Sequence, residues 1–357
     1  MTRLAWELAD AGDSVTLLTA GDPSLPRKER RGGLEIVRVG RPRLMSPLVW
    51  ALELTSLHRR YDVVVEEAMG GERAPFFGRF LSGSPTVGFW YQDNRDLISL
   101  MYGGVGATLG GWLQELLLRA GREGYALGNS RATTDWLVSR GFHRGQVAES
   151  LPFIVRYNAP ERTRPFSERR NLMVSIGNFR PTKRFEEAVT VVDHVRDQVP
   201  DAELVLLGRA QDPEYLARLR RLVSERGLGG SVQIRVDVSD AEKFRVLSEA
   251  KVLTVHSPIE GFGWTVVEAG ECGVPTVGNA GVSTDALRDG VNGRRLEFGR
   301  TDAYAGEIVR LFRDAAYWGM LSEGARAVAS EFTAGVVTPQ VKNLLVRCAG
   351  SRARASA

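Results

Sequence analysis

"KVLTVHSPIEGFGWTVVEAGECGVP", residues 251–275, passes from a short apolar run through a glycine-bearing loop into a helical pattern. Glu260 and Glu268 bracket the hinge Gly261, Phe262, Gly263. The spacing predicts a strand, a loop at a helix entrance, and a helix with Glu268 on its second turn. Free backbone N–H groups and the positive end of the helix dipole make such an entrance an anion site. Glycine there lets a phosphate approach the backbone closely. A carboxylate accepts hydrogen bonds and suits a pair of hydroxyls. Along the segment the order is therefore hydroxyl acceptor, phosphate cradle, hydroxyl acceptor. A nucleotide-sugar has the matching order of sugar, diphosphate and ribose diol. The blander reading is a capped helix whose second glutamate is solvated.

Working outward, short apolar runs alternate with amphipathic helical patterns over most of the chain. In the first half the strand candidates are 14–20, 34–40, 62–68, 86–92 and 125–130. Runs without polar alternation suit parallel strands covered on both faces. Residues 157–170, "YNAPERTRPFSERR", are rich in Pro and Arg, lack periodicity and read as a linker. The alternation restarts with strands at 171–177, 203–208, 231–236, 251–255 and 275–278. Helices are expected from Arg184, Pro213 and Asp240 and near Gly263. The fold class is α/β, with two doubly wound Rossmann-like domains facing a cleft. The first occupies 1–160 and the second 168–335. The chain opens directly in an amphipathic helix, with Leu4, Leu8 and Ala11 on one face, where a doubly wound domain usually opens with a strand.

At 357 residues, 43% hydrophobic and 25% charged, the chain is long enough for two cores and ordinary in composition. Its 47 basic and 43 acidic residues are too balanced to argue for nucleic acid, and no nucleic-acid signature appears. Cys272 and Cys348 lie far apart with no secretory leader before them, so a reduced cytoplasmic compartment is expected. The four histidines show no metal-ligand spacing, and no metal is expected. Residues 97–114, "LISLMYGGVGATLGGWLQ", carry no charge, but their glycines make a poor bilayer helix. They read either as packing on the sheet or as an apolar face for a greasy acceptor or a peripheral membrane contact.

"EGFGWTVVEAGECGVPTV" (260–277) and "LRDGVNGRRL" (287–296) closely resemble the Glu-x7-Glu region of the retaining glycosyltransferases of family 4, whose fold is the two-domain GT-B type. "SIGNFRPTKRFEEAV" (175–189) resembles the opening of that family's second domain, and "AELVLLGRAQD" (202–212) its base-side strand and turn. "VSDAEKFRVLSEAKVLTVHS" (238–257) is similar to the helix and strand leading into the motif. "GNSRATTDWLVSRGF" (128–142) looks like its last N-terminal strand and helix.

The resemblance implies these roles. Glu260, Gly261 and the backbone at Phe262 and Gly263 hold the donor sugar and its phosphates. Glu268 binds the ribose diol, and Lys183 neutralises the departing diphosphate. Gly177 and Asn178 line the donor site, while Gly208 and Arg209 lie beside the base. No cofactor beyond the nucleotide-sugar is implied, the acceptor being a natural product, a lipid-linked glycan or a polysaccharide. Helix 336–348 crosses back to the first domain. Three departures stand out. Asn178 replaces the family's arginine, with Arg180 two residues on as the alternative cation. Tyr91, followed by Gln92, stands where the family often has histidine, leaving a weaker acceptor-side pair. The family's opening strand and Gly-Gly loop are not found, which fits either a reading frame begun at an internal methionine or a chain lacking part of that site. Two rivals follow: a catalytically impaired binding or partner subunit, and another GT-B enzyme such as a sugar-nucleotide epimerase. A phosphorylase ranks low, because Lys342 is the sole lysine beyond Lys251 and lies in a terminal helix.

Overall fold

The computed structural model of the chain describes residues 2–20, 24–39, 61–67, 85–90, 104–148, 163–260 and 262–355. It divides into two compact units, one of Met1–Arg156 with Phe332–Ala357, the other of Tyr157–Glu331.

The first unit contains α1 (Thr2–Asp10), β1 (Val15–Ala20), β2 (Lys28–Arg31), β3 (Leu34–Val39), β4 (Val64–Glu67) and β5 (Thr86–Trp90). It continues with α2 (Gly104–Gly121), β6 (Tyr125–Gly128), α3 (Arg131–Ser139) and β7 (Val147–Ala148). Its described strands form two sheets, ordered β1-β3-β2 and β4-β5-β6-β7. The second sheet is parallel throughout, and β5 is buried at all five positions, as expected of a strand covered on both faces. The strand β2, "KERR", was not expected from sequence. It pairs antiparallel with β3, and its charged residues suit an edge. Leu4 and Leu8 of α1 are buried with Val87, Phe89 and Leu127, whereas Ala11 lies beyond the helix and is exposed. The terminal helix, Ala334–Ala355, adds Val337, Val341 and Leu344 to that same cluster, and it runs into the basic tail. Ser130 caps α3 by accepting from the Thr133 N–H.

The second unit is one six-stranded parallel sheet. Its elements are β8 (Leu172–Ile176), α4 (Phe185–Arg196), β9 (Glu203–Gly208), α5 (Pro213–Glu225), β10 (Val232–Val236) and α6 (Asp240–Glu249). After these come β11 (Val252–Thr254), α7 (Trp264–Glu271), β12 (Thr276–Asn279), β13 (Gly293–Leu296), α8 (Thr301–Arg313) and α9 (Ala315–Ser330). The strand order is β10-β9-β8-β11-β12-β13. From β8 the chain steps outward to β9 and β10, then returns to β11 and steps the other way. Right-handed crossovers therefore place α4 and α5 on one face and α6 and α7 on the other. Apolar residues of α4, α5 and α8 fill the main cluster, with Met173, Leu204 and Leu206 from the sheet. Asp212, Ser239 and Asp314 cap α5, α6 and α9.

The sequence-predicted linker is not all linker. Residues 157–162 lie outside the described residues, but Phe166–Glu168 form a short turn and Arg169 is buried. The Arg169 guanidinium donates to the carbonyls of Arg164, Ala250 and Cys272 and lies over the Trp318 ring. Burial drives its pKa down to about 10, still well above neutrality, so it stays charged in three charge-assisted bonds.

Candidate functional site

The neighbours β8 and β11 lead away in opposite directions, so the switch point of the sheet lies between them. Ligands of open α/β sheets bind outside the carboxyl ends of the strands at such a point. The segments that leave those ends are 177–184 and 255–263, which carry most of the candidate residues.

After β8, the chain is laced to the end of β9. Gly177 N–H donates to the Leu207 carbonyl at 2.9 Å, and Phe179 N–H to the Arg209 carbonyl at 2.8 Å. Gly208 has to be glycine for this contact, because a Cβ there would lie 1.7 Å from the Gly177 carbonyl oxygen. Phe179 is fully buried against Phe185, while Asn178 and Arg209 face outward. Pro181–Lys183 make a single 3₁₀ turn, and Arg184 enters α4 in the left-handed region at φ 50°. That costs a non-glycine residue about 1 kcal/mol or more. Arg184 Nε donates to Glu187 at 2.5 Å, and Glu187 lies 3.6 Å from His256 Nδ1 at the end of β11. Burial pushes the Glu187 carboxyl up, but its bonds to His256 and Arg184 outweigh this and hold it below the usual range.

After β11, the loop to α7 is propped from β12. Asn279 donates to the Ser257 carbonyl at 3.1 Å and accepts from Gly281 N–H at 2.7 Å. Glu260 N–H donates to the Gly281 carbonyl at 2.9 Å. A Cβ on Gly281 would stand 2.1 Å from the Pro258 carbonyl oxygen, so the loop rests directly on a backbone that only glycine provides. Gly263 precedes α7 at φ 97°, a conformation that favours glycine. Phe262 is buried, and Trp264 is half-buried with its ring tilted on Phe262.

The structure brings the two segments together through their charges. Lys183 Nζ donates to Glu260 Oε2 at 2.6 Å, with both side chains mostly buried. The lysine stem passes over Gly177, where a Cβ would come within 3.1 Å of it. Glu268, on the second turn of α7, accepts from Lys243 Nζ at 2.8 Å. Lys243 lies on α6 and also reaches Asp240 at 3.0 Å. Both acids therefore sit beside an ammonium group. In the same two segments, Arg180 Nε, Thr182 Oγ1 and His256 Nε2 are buried and have no hydrogen-bond partner among the described residues. Buried polar atoms are nearly always paired, so three orphans at one strand switch are a set that a polar ligand would complete. His256 is buried and stacked on Tyr304 at 4.7 Å, but only its Nδ1 side is engaged.

Tyr91, Gln92 and Gly261 fall outside the described residues. Lys243, Thr182, Asn279 and Gly281 were not singled out from sequence. Thr182 is inside the quoted "RPTKR" and could have been noticed as a hydroxyl beside two cations. Lys243 gave no local signal, because its partner lies 25 residues away on another helix. Among the described residues no group of three or more His, Cys, Asp or Glu could hold a metal ion, and no helix is long and apolar enough to cross a membrane.

Two α/β units, the second wound around a switch point that gathers these charges, are the GT-B architecture, and solved structures show the same fold. Sucrose-phosphate synthase from Thermosynechococcus elongatus superposes with a TM-score of 0.75 at 19% identity, over 98% of this chain and 92% of that one. HepE of Anabaena, solved with UDP and glucose, gives 0.70 at 17% identity, over 97% and 94%. Residues 160–328, which hold the candidate site, match the model of the family described as glycosyl transferases group 1. The N-acetyl-alpha-D-glucosaminyl L-malate synthase of Bacillus anthracis is 27% identical over 180 residues, 50% of this chain and 46% of that protein. The GDP-Man:Man(3)GlcNAc(2)-PP-Dol alpha-1,2-mannosyltransferase of Dictyostelium discoideum is 31% identical over 133 residues, 34% of this chain and 26% of that protein. The alignments thus span less than half the length of either curated relative.

Proposed function

We propose that this chain is a retaining, metal-independent glycosyltransferase that moves a sugar from a nucleotide-diphosphate sugar to a hydroxyl acceptor. The observation that carries the reading is the meeting of Lys183 and Glu260 at the β8/β11 switch point, with three unpartnered polar atoms in the same two segments. Relatives whose names describe sugar transfer, and a neighbour solved with UDP and glucose, support it.

In this reading the diphosphate replaces Glu260 as the partner of Lys183, and Arg180 and Thr182 donate to phosphate oxygens. Glu260 is released to accept from the hydroxyls of the transferred sugar. Glu268, held by Lys243, accepts from the ribose. The bond between the anomeric carbon and the diphosphate oxygen breaks as the acceptor oxygen bonds to the same face of that carbon. The acceptor proton passes to the leaving diphosphate, whose growing charge Lys183 stabilises. Neither a cofactor nor a metal is needed for this balance of atoms and charge.

Lys243 gives a direct test. Lys243→Met removes the cation from beside Glu268 and should raise the donor KM about five- to tenfold, with kcat within about twofold. Lys243→Arg should recover most of the loss. The assay is nucleotide release from a panel of uridine, guanosine and thymidine diphosphate sugars. Binding without release, for every donor and acceptor tried, would instead favour the partner-subunit reading.

A further inference from the structure

His256 is held on two sides and left bare at one nitrogen. It follows β11 at the carboxyl end of the sheet, and its side chain is 2% exposed. One face of the imidazole stacks on Tyr304, with centroids 4.7 Å apart and planes 29° from parallel. The Tyr304 hydroxyl donates to the Val255 carbonyl at 3.2 Å, which ties the stacking ring to the residue before His256. Nδ1 faces Glu187 Oε2 at 3.6 Å. A hydrogen on Nδ1 points at that carboxylate, whereas a lone pair there would be repelled by it. Arg184 already balances the charge of Glu187, its Nε donating to the other oxygen at 2.5 Å, so a neutral imidazole completes the group. Nε2 then carries a lone pair, and it has no hydrogen-bond partner among the described residues. Leaving a buried polar atom unpaired is costly, and a ring kept only for packing has no use for it.

The chemistry of that nitrogen selects what it can hold. A lone pair accepts from an O–H or N–H group and is repelled by a phosphate oxygen. In a nucleotide-diphosphate sugar the diphosphate offers no donor, and the ribose diol falls to Glu268. The hydroxyls of the transferred sugar remain, and His256 stands four residues before Glu260, which accepts from them in the reading above. We propose that His256 Nε2 accepts a hydrogen bond from a hydroxyl of the transferred sugar, with Glu187 as the positioning residue that holds the imidazole in its accepting tautomer. The proposal rests on the donor-site reading and adds a determinant of which sugar is taken. A donor that is deoxygenated at that place leaves Nε2 unpaired and binds less well. In the free protein the nitrogen is covered, so it is reached only as the loop shifts, and the release of Glu260 from Lys183 is the step that frees the loop.

The test compares a nucleotide with and without its sugar. Calorimetry on the full chain measures uridine, guanosine and thymidine diphosphates beside their sugar esters. His256→Leu should weaken the nucleotide-sugar about tenfold and leave the bare nucleotide within about twofold. Glu187→Gln offers Nδ1 an amide donor, which moves the ring hydrogen to Nε2, and should produce the same sugar-selective loss. Nitrogen-15 spectra of histidine-labelled wild type read the ring directly, and with four histidines in the chain the His256 signal is assigned by elimination. The hydrogen should sit on Nδ1, and the Nε2 resonance should move with the nucleotide-sugar but not with the nucleotide. These spectra decide the matter even if His256→Leu does not fold. Equal losses for nucleotide and nucleotide-sugar, no loss in either, a hydrogen on Nε2 of the wild type, or an Nε2 resonance that the sugar leaves unmoved would each overturn the proposal. A wild type that binds no nucleotide and no nucleotide-sugar would remove the donor site itself, and this contact with it, so the two failures are told apart.

Discussion

Replacing Lys183 with alanine is expected to lower turnover of the nucleotide-sugar about 100- to 1,000-fold, with donor affinity changed less than about tenfold. The asymmetry comes from the ion pair. In the free protein the Lys183 ammonium is already held by Glu260 at 2.6 Å. Binding the donor exchanges one anionic partner for another, so the ground state gains little from the lysine. The leaving diphosphate gains charge only as the glycosidic bond breaks, and the lysine's interaction is strongest there. Steady-state kinetics with calorimetric donor affinities separate the two effects. Turnover kept within about threefold would remove Lys183 from the chemistry. Because Lys183 and Glu260 are partners, Lys183→Ala combined with Glu260→Gln should cost less than the sum of the single changes.

The second large effect is expected at Glu268. Glu268→Gln should weaken donor binding about 10- to 100-fold and leave kcat at saturation within about threefold. A glutamine has one acceptor oxygen and an amide that can only donate. Lys243, also a pure donor, lies 2.8 Å from the carboxylate in the native protein. If the oxygen turns to Lys243, the amide faces the ribose hydroxyls; if it turns to the ribose, the amide faces an ammonium. Either way a charge-assisted bond is lost. Calorimetry with the nucleoside diphosphate alone isolates this contact from the sugar. An unchanged affinity would mean that Glu268 serves only its ion pair.

Five strands of the second unit, β8 to β12, were legible because each is a short apolar run bounded by polar turns, and their alternation with helices implied the parallel order. The edge strands β2 and β13 were not. "KERR" and "GRRL" carry no apolar alternation, and they are strands only because a neighbour offers a register. β7 is two residues long and gives no period at all. In the site, the two glutamates and the glycines were legible because they lie in one segment and their order has chemical meaning. The pairings of Lys183 with Glu260 and of Lys243 with Glu268 were not, since each joins elements that only the winding of the sheet brings together. Gly208 was picked out from resemblance as a base-side residue. The structure adds a backbone reason, its contact with the Gly177 carbonyl. The prop that Asn279 and Gly281 provide for the Glu260 loop was invisible for the same cause: it runs from β12 back to the loop after β11.

The most direct measurement is amide hydrogen exchange on the full chain, with and without saturating uridine or guanosine diphosphate. If a nucleotide diphosphate seats where β8 and β11 part, protection should rise in peptides covering 177–186 and 256–270. Peptides of the outer helices α8 and α9 should be unchanged. Nucleotide binding that leaves both of those segments unprotected while slowing exchange elsewhere would contradict the placement of the site.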